Sequence, residues 1–210
     1  FRLAMKDLEI RGAGNLLGSE QSGHMAAVGF DLYSRLLEEA VEGLRSGDIT
    51  TSATEALPRA VVTLPIKAFI PEEYVSDMPQ RLMLYQRLSR IRSVEQLDAL
   101  REELQDRFGQ LPLEVANLVY LVTVKLLADA AGVESITSDR SCFILRLIAS
   151  TGGAREALNS YLGRSVQVGD KLIKGKLENN WTTTLTSVLK DLTRFRYKAL
   201  ELMTGLQGED

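Results

Sequence analysis

The 210-residue chain has little cysteine and histidine: one of each, Cys142 and His24. A single cysteine excludes an internal disulfide framework, and one histidine with one cysteine cannot provide the ligand spacing of a structural zinc site. Long apolar runs are also missing, because no stretch approaches the roughly 18 apolar residues of a membrane helix. The first residues carry neither a secretory nor a transit pattern. We therefore expect a cytoplasmic protein with no metal site and no membrane partner.

A surplus of positive charge is missing as well. The chain has 25 Lys and Arg residues against 28 Asp and Glu residues, which gives a net charge of −3. Domains that bind nucleic acid mainly through their overall field are usually basic, so any contact with DNA should be local. With 45% hydrophobic residues, the chain can bury one full domain plus an appendage. It starts at Phe1 without a Met and reads as a piece of a longer protein.

Catalytic and nucleotide-binding motifs are not found either. The segment from Asp7 to Tyr33 holds five glycines, but Gly12, Gly14 and Gly18 give G-x-G-x-x-x-G, one residue longer than the dinucleotide fingerprint. No G-x-x-x-x-G-K-[ST] phosphate loop, nucleophile elbow or H-E-x-x-H motif is present. We expect this chain to have no catalytic residues and no cofactor of its own.

What the sequence does contain is periodic apolar residues separated by turn signals. From Phe30 to Leu44 they recur every three or four positions, which indicates one helix face. Residues 46–58 are rich in Ser, Thr and Gly, a composition typical of linkers. We place a first region at 1–47, a linker at 48–58 and a domain at 59–210.

Helices are predicted in the first half of that domain. The first can be capped by Ser76 or Asp77, and the second begins at Ser93 and stops at Gly109. A third, from about Pro112 to Ala131, is apolar nearly all round. The acid-rich run EELQDRFG in the second helix favours a solvated surface with helical ion pairs over a catalytic carboxylate pair.

Strands are predicted at the start of the domain and in its second half. An edge strand is predicted within RAVVTLPIKAFIP, because prolines lie in and beside it. Three further strands, a short helix near 154–161 and a long final amphipathic helix are predicted, the strands in GVESI, SCFILRLI and DKLIKGKL and the final helix in TTTLTSVLKDLTRFRYKALELM. The expected fold class is therefore α+β, with helices dominant.

Two stretches resemble a known family. LAMKDLEIRGAGNLLGSEQSGHMAAVGFDLYSRLLEEAV resembles the segment that follows the second motor lobe in bacterial transcription-repair coupling factors. Its D-L-E-I-R-G-x-G-x-L-L-G-x-x-Q-S-G core is similar to the translocation motif that these proteins share with the branched-DNA helicase of bacterial recombination. FIPEEYVSDMPQRLMLYQRLSRI is similar to the start of the coupling factors' own C-terminal domain, which that helicase lacks. The resemblance covers residues 3–131.

For residues 1–47 the resemblance implies a helical hairpin and loop that couple motor lobes to duplex DNA. The parent would be an ATP- and Mg-dependent DNA translocase that displaces stalled RNA polymerase and recruits the A subunit of the excision nuclease. Matching positions assign Arg11 a contact with a motor lobe or the phosphate backbone, and Gln21 the relay of the nucleotide state. The same match identifies the motif-loop glycines as Gly12, Gly14, Gly18 and Gly23.

For residues 59–210 the resemblance implies an autoregulatory domain of helices packed on a short β-sheet. It would pack on the N-terminal region of the parent chain and mask the surface that binds the nuclease subunit. We define an arginine face that could dock there: Arg81, Arg87, Arg90 and Arg92. Ordinary solvated helix charges are the alternative. A free-standing DNA-binding or protein-interaction module is the second hypothesis for the whole chain, and the even charge balance favours the first.

Overall fold

A computed structural model of the chain describes residues 60–205. Within them it contains five α-helices and five β-strands, which confirms the α+β class. The first region and linker predicted at 1–47 and 48–58 lie outside the described residues, so the boundary at 59 stays a prediction. The elements are β1 (Val61–Val62), α1 (Met78–Arg90), α2 (Val94–Phe108), α3 (Leu113–Ala131), β2 (Val133–Ser138), β3 (Cys142–Leu147), α4 (Arg155–Leu162), β4 (Val166–Val168), β5 (Leu172–Lys176) and α5 (Trp181–Gly205).

The described residues divide into two compact units. The first, Ile66–Val122, contains α1, α2 and the first half of α3. The second contains residues 60–65 and 123–205, with the five strands, the end of α3, α4 and α5. No helix in the described part of the chain is long and apolar enough to cross a membrane.

Capping side chains fix the helix ends of the first unit, as predicted. Asp77 accepts a hydrogen bond from the Gln80 N–H at 3.0 Å and so caps α1. Ser93 accepts one from the Gln96 N–H at 3.4 Å at the start of α2. Gly109, with φ +85°, ends α2 in a conformation that L residues rarely adopt. Because each cap gives a partner to a backbone group at the helix end, these helix ends lie where the sequence indicates.

Aliphatic residues form the core of the first unit. Buried there are Leu82, Leu84, Tyr85, Leu88, Leu97, Leu100, Leu104, Val115, Leu118 and Leu121.

The Tyr85 hydroxyl accepts a hydrogen bond from the Ile70 N–H at 2.7 Å. Burial raises the pKa of Tyr85 to about 12, so its phenol stays neutral. The Tyr74 hydroxyl donates to the Leu104 carbonyl at 2.9 Å and ties the loop before α1 to α2.

The second unit is built on a mixed sheet with the strand order β1-β2-β3-β5-β4. β1 runs parallel to β2, and the other neighbours are antiparallel. The predicted edge strand does lie at an edge, but it is short: Val61 and Val62 pair with β2, the Thr63 N–H donates to the Ile136 carbonyl at 2.8 Å, and Pro65 has no N–H to continue the ladder. β4 was missed, since three residues are too few to show an alternation.

One side of the sheet is packed against helices, whereas the residues of its other side that the structure describes are exposed or half-buried. Inward-facing residues alternate along the strands and are buried with apolar residues of α4 and α5: Ile136, Phe143, Leu145, Val166, Val168, Ile173, Leu158, Leu162, Leu185 and Leu189. Gly175 sits opposite Phe143 in the ladder, and a methyl group there would lie 2.1 Å from the Phe143 Cζ atom. The phenyl ring therefore fills the space that any side chain at position 175 would need.

Candidate interaction site

Arg81, the first residue of the arginine face, is not on an exposed face at all. It is only 7% exposed. Its Nη1 donates to the Val75 carbonyl at 2.6 Å and to the Ser76 carbonyl at 3.0 Å. Position 81 lies one helical turn before Tyr85 and two before Leu88, so it shares their buried side. Arg81 thus anchors the loop that leads into α1, and we remove it from the docking residues.

Arg87 is exposed but paired. Its two terminal nitrogens donate to the two carboxylate oxygens of Glu103 in α2, at 2.8 and 2.6 Å. Arg107, one turn further along α2, donates to the same carboxylate at 2.9 Å. The Arg87 hydrogen bond, with that of Arg107, lowers the pKa of Glu103 to about 2. One carboxylate therefore accepts hydrogen bonds from two guanidinium groups and links α1 to α2.

The remaining two arginines lie at the C-terminal end of α1. Arg92 donates to the Ser89 carbonyl at 3.0 Å and to the Ile91 carbonyl at 3.2 Å, so its guanidinium satisfies backbone groups at that helix end. Arg90 is exposed and makes no hydrogen bond or ion pair within residues 60–205. A docking role stays a prediction for these two and for Arg87. The link that Glu103 makes between α1 and α2 was not predicted from the sequence. Glu103 directly precedes buried Leu104, which places it at the border between the buried and exposed sides of α2.

The second unit presents cations differently, on the uncovered side of the sheet. Ile144 and Arg146 of β3 alternate with buried residues, as do Leu172 and Lys174 of β5. In the ladder Ile144 pairs with Lys174 and Arg146 pairs with Leu172. Each aliphatic side chain therefore has a cationic one both directly across the ladder and two residues along its own strand. We call these four residues the open face.

The two cations of the open face have no partners. Arg146 and Lys174 are exposed, and neither makes a hydrogen bond or ion pair within the described residues. Lys176, further along β5, does pair with Glu178 at 3.1 Å, but both side chains are about three-quarters exposed. Sequence reasoning identified both strands without noting which residues share a side. Reading every second residue of SCFILRLI and DKLIKGKL would have found Arg146 and Lys174.

An acidic group whose charge interacts with that of Lys174 is held by its own turn. Asp139 accepts hydrogen bonds from the backbone N–H groups of Ser141 at 2.8 Å and Cys142 at 2.7 Å. These bonds, Ser141 first, lower the pKa of Asp139, and the charge of Lys174 is a minor cause. The carboxylate therefore shapes the β2–β3 turn and does not form an ion pair with the lysine.

Two other features bear on function. A shallow groove of 790 Å³ lies beside edge strand β4, where Arg155 donates to the Val168 carbonyl at 3.1 Å and so occupies part of the strand edge.

Among the residues that the structure describes, no cluster of three or more His, Cys, Asp or Glu side chains could hold a metal ion. Cys142 is a free, half-buried thiol.

Comparison with known proteins gives the family. The TRCF domain model matches residues 64–156. The transcription-repair-coupling factor of Bacillus subtilis strain 168 is 37% identical over 207 residues, which cover 91% of this chain and 17% of that protein. The chain belongs to the transcription-repair coupling factor family. The coupling factor of Staphylococcus epidermidis strain RP62A is 35% identical over 213 residues, which cover 100% of this chain and 18% of that protein.

A solved structure supports the fold. The crystal structure of the C-terminal domain of a transcription-repair coupling factor matches with a TM-score of 0.54 and 19% identity, over 67% of this chain and 95% of that one. The α+β architecture is thus the one found in the C-terminal domain of a coupling factor. The chain spans less than a fifth of the length of these relatives.

Proposed function

We propose that this chain is the C-terminal part of an ATP-dependent DNA translocase that couples transcription to nucleotide-excision repair by displacing stalled RNA polymerase. It contributes no catalytic residue; ATP and Mg act in the motor lobes of the parent. The observation that carries this proposal is the match to coupling factors along 91% to 100% of the chain. The sequence motif of residues 7–23 adds support, since it resembles a translocation motif.

In this proposal residues 1–47 transmit motor movement to duplex DNA. Arg11 has a planar donor fork suited to a carboxylate or a phosphate, whereas Gln21 can form only neutral hydrogen bonds and acts by geometry. Arg11→Ala or Gln21→Ala in the full-length protein should abolish translocation and leave ATP hydrolysis intact or raised. A triplex-displacement assay beside an ATPase assay measures both. Proportional loss of the two activities would place these residues at the nucleotide site instead.

Residues 59–210 act through contacts in this proposal. The domain docks on the N-terminal region of the parent and masks the surface that recruits the A subunit of the excision nuclease. Docked and released states form a two-state equilibrium, and the subunit binds only the released one. Coupling free energies of this kind are typically about 1 to 3 kcal/mol, or roughly 5- to 150-fold in affinity.

Deleting residues 59–210 from the full-length protein tests the masking. The nuclease subunit should then bind more tightly, by a factor of roughly 5 to 150, because no binding free energy is used to release the domain. Isothermal titration of the subunit into intact and truncated protein at matched salt measures this. Equal affinities would reject masking.

A further inference from the structure

We propose that the outer face of α5 binds single-stranded nucleic acid. Lys190, Arg194 and Lys198 form what we call the basic strip, and exposed aromatic rings lie on both sides of it. The strip contacts phosphates and the rings stack on bases. This inference concerns a binding site on the chain itself and does not depend on the proposed masking, so either can fail without the other.

The basic strip follows from the helical spacing of its residues. Lys190, Arg194 and Lys198 are four positions apart in α5, so they lie along one face and about 6 Å apart along the helix axis. All three are exposed, on the side of the helix opposite buried Leu189 and Leu192. A row of positive charges at this spacing suits successive phosphates of one extended strand.

Positive charge is concentrated at this strip although the chain as a whole is acidic. The nine residues from Lys190 to Lys198 hold four cations and one acid, whereas the net charge of the chain is −3. The other acid of the helix, Glu201, lies beyond the strip. Lys190 and Lys198 make no hydrogen bond or ion pair within residues 60–205. Arg194 pairs with Asp191 at 3.5 Å, but its side chain is 70% exposed, so a phosphate can replace the carboxylate at little cost.

Aromatic rings flank the basic strip. Tyr197 is 61% exposed and lies one turn after Arg194. On the other side of the strip, the ring of Tyr161 in α4 lies 5.7 Å, centroid to centroid, from that of half-buried Phe195. Tyr161 and Tyr197 are the only exposed aromatic residues among residues 60–205, and both lie beside the strip. Base stacking on such rings tolerates any sequence, because every base has a π-face.

This combination favours a single strand over the other polyanions. The bases of a duplex are already paired and stacked, so the rings beside the strip would have no base to stack on. Duplex binding also rests on more phosphate contacts than three cations can make. Acidic protein segments are attracted by cations too. Protein interfaces, however, place their aromatic anchors at the centre of the contact, whereas here cations form the centre and rings the margins.

Fluorescence anisotropy of the 210-residue chain with labelled oligo-dT of about 20 nucleotides, at about 50 mM salt, tests the inference. Oligo-rU and a duplex of the same length are titrated in parallel. The variants are Lys190→Glu with Lys198→Glu, a matched reversal Arg140→Glu with Lys171→Glu, Tyr197→Ala and Tyr197→Phe. Arg140 and Lys171 are exposed cations in the β2–β3 and β4–β5 turns, without side-chain partners within residues 60–205, so both reversals change the net charge equally.

We expect single strands to bind several-fold more tightly than the duplex. The logarithm of the binding constant should fall with the logarithm of salt concentration with a slope of about −2, since three phosphate contacts contribute about −0.7 each. The basic-strip reversal should weaken binding by about tenfold or more, and the turn reversal by less than about twofold. Tyr197→Ala should weaken it by roughly fivefold, the lower end of the cost of one lost base stack, whereas Tyr197→Phe keeps the ring and should bind like the wild type.

Urea unfolding checks that each variant folds, and Lys190→Gln with Lys198→Gln replaces the reversal if that variant does not. The site is rejected if neither oligomer binds, if the two reversals lose affinity equally, or if the duplex binds as tightly as the single strands. Unchanged binding by Tyr197→Ala would reduce the strip to a general anion surface, against the proposal. Polyglutamate that displaces oligo-dT at equal charge concentration would assign the strip to acidic protein segments instead. A preference between oligo-dT and oligo-rU identifies the type of strand and supports the site in either direction.

Discussion

The two units of the described chain use their cations in opposite ways. In the first unit Arg81 holds the loop before α1, and Arg87 joins α1 to α2 through Glu103. In the second unit Arg146 and Lys174 are exposed on the side of the sheet opposite its buried residues, and neither makes a hydrogen bond or ion pair within residues 60–205. The first pair is part of what holds its unit together. The second pair contributes nothing visible to the fold.

This difference shows why a count of surface charges does not locate a binding surface. Four arginines within twelve residues of the first unit look like a docking patch, yet internal oxygens accept hydrogen bonds from three of them. Two cations that are 28 residues apart in sequence meet through the β3–β5 register and stay free. The free energy available for a partner depends on what each charge already contacts.

The largest expected effect concerns the packing on the buried side of β3 and β5, beneath the open face. Gly175→Ala should lower the free energy of unfolding by about 3 kcal/mol or more, because the new methyl group overlaps the buried Phe143 ring in a packed interior. Urea unfolding followed by circular dichroism measures the change. Gly153→Ala is the matched control, since a Cβ there meets nothing within 4 Å, and it should change stability little.

Phe143→Leu in the Gly175→Ala background sharpens the same test. The smaller side chain makes room for the methyl group, so the double variant should lose less than the sum of the two single losses. Additive losses would mean that Gly175 is required for its backbone freedom and not for the space under the ring.

Next in size is the internal arginine of the first unit. Arg81→Met keeps much of the aliphatic length but leaves the Val75 and Ser76 carbonyls without their donor. Because hydrogen bonds from a charged donor are involved, stability should fall by about 2 kcal/mol. Arg90→Met, on the exposed side of the same helix, should stay within about 0.5 kcal/mol. Similar losses for both variants would erase the distinction between internal and surface arginines.

A smaller effect is expected at the Arg87–Glu103 pair. Glu103→Gln should cost at most about 1 kcal/mol near neutral pH, because half of the Arg87 side chain is exposed and solvent screens the pair. The pKa of Glu103 lies below its ordinary 4.5, at about 2, so its contribution is complete above pH 4.5 and is lost as the pH falls towards 2. The stability difference between wild type and Glu103→Gln should shrink across that window. A difference that is constant from pH 5 to pH 2 would show that the carboxylate charge is not what stabilises the link.

Much of this fold could be predicted from the sequence because its signals are local. Asp77, Ser93 and Gly109 fix helix ends through neighbours a few residues away, and all three were identified in advance. The edge strand β1 was predicted too long and β4 was missed, since two or three residues carry no period and pair only because a longer strand lies beside them. Register is a property of the whole sheet, so it could not be read from either strand alone.

The interaction surfaces were harder to predict for the same reason. Arg81 looks like Arg87 in the sequence, and only the packing of the preceding loop separates a buried guanidinium from an exposed one. Pairing between Arg87 and Glu103 spans sixteen positions and depends on how α1 meets α2. The roles of Arg11 and Gln21 come from motif resemblance, and they stay predictions because those residues lie outside the described part.

The smallest expected effect completes the comparison. Arg146→Met and Lys174→Met should each change the free energy of unfolding by no more than about 0.5 kcal/mol, because neither side chain has a partner within residues 60–205 and both are exposed. Urea midpoints of the single variants, measured beside Arg81→Met, give the contrast directly. A loss of more than about 1 kcal/mol for either variant would mean that its charge is used within the fold. It would then be no freer for a partner than Arg87.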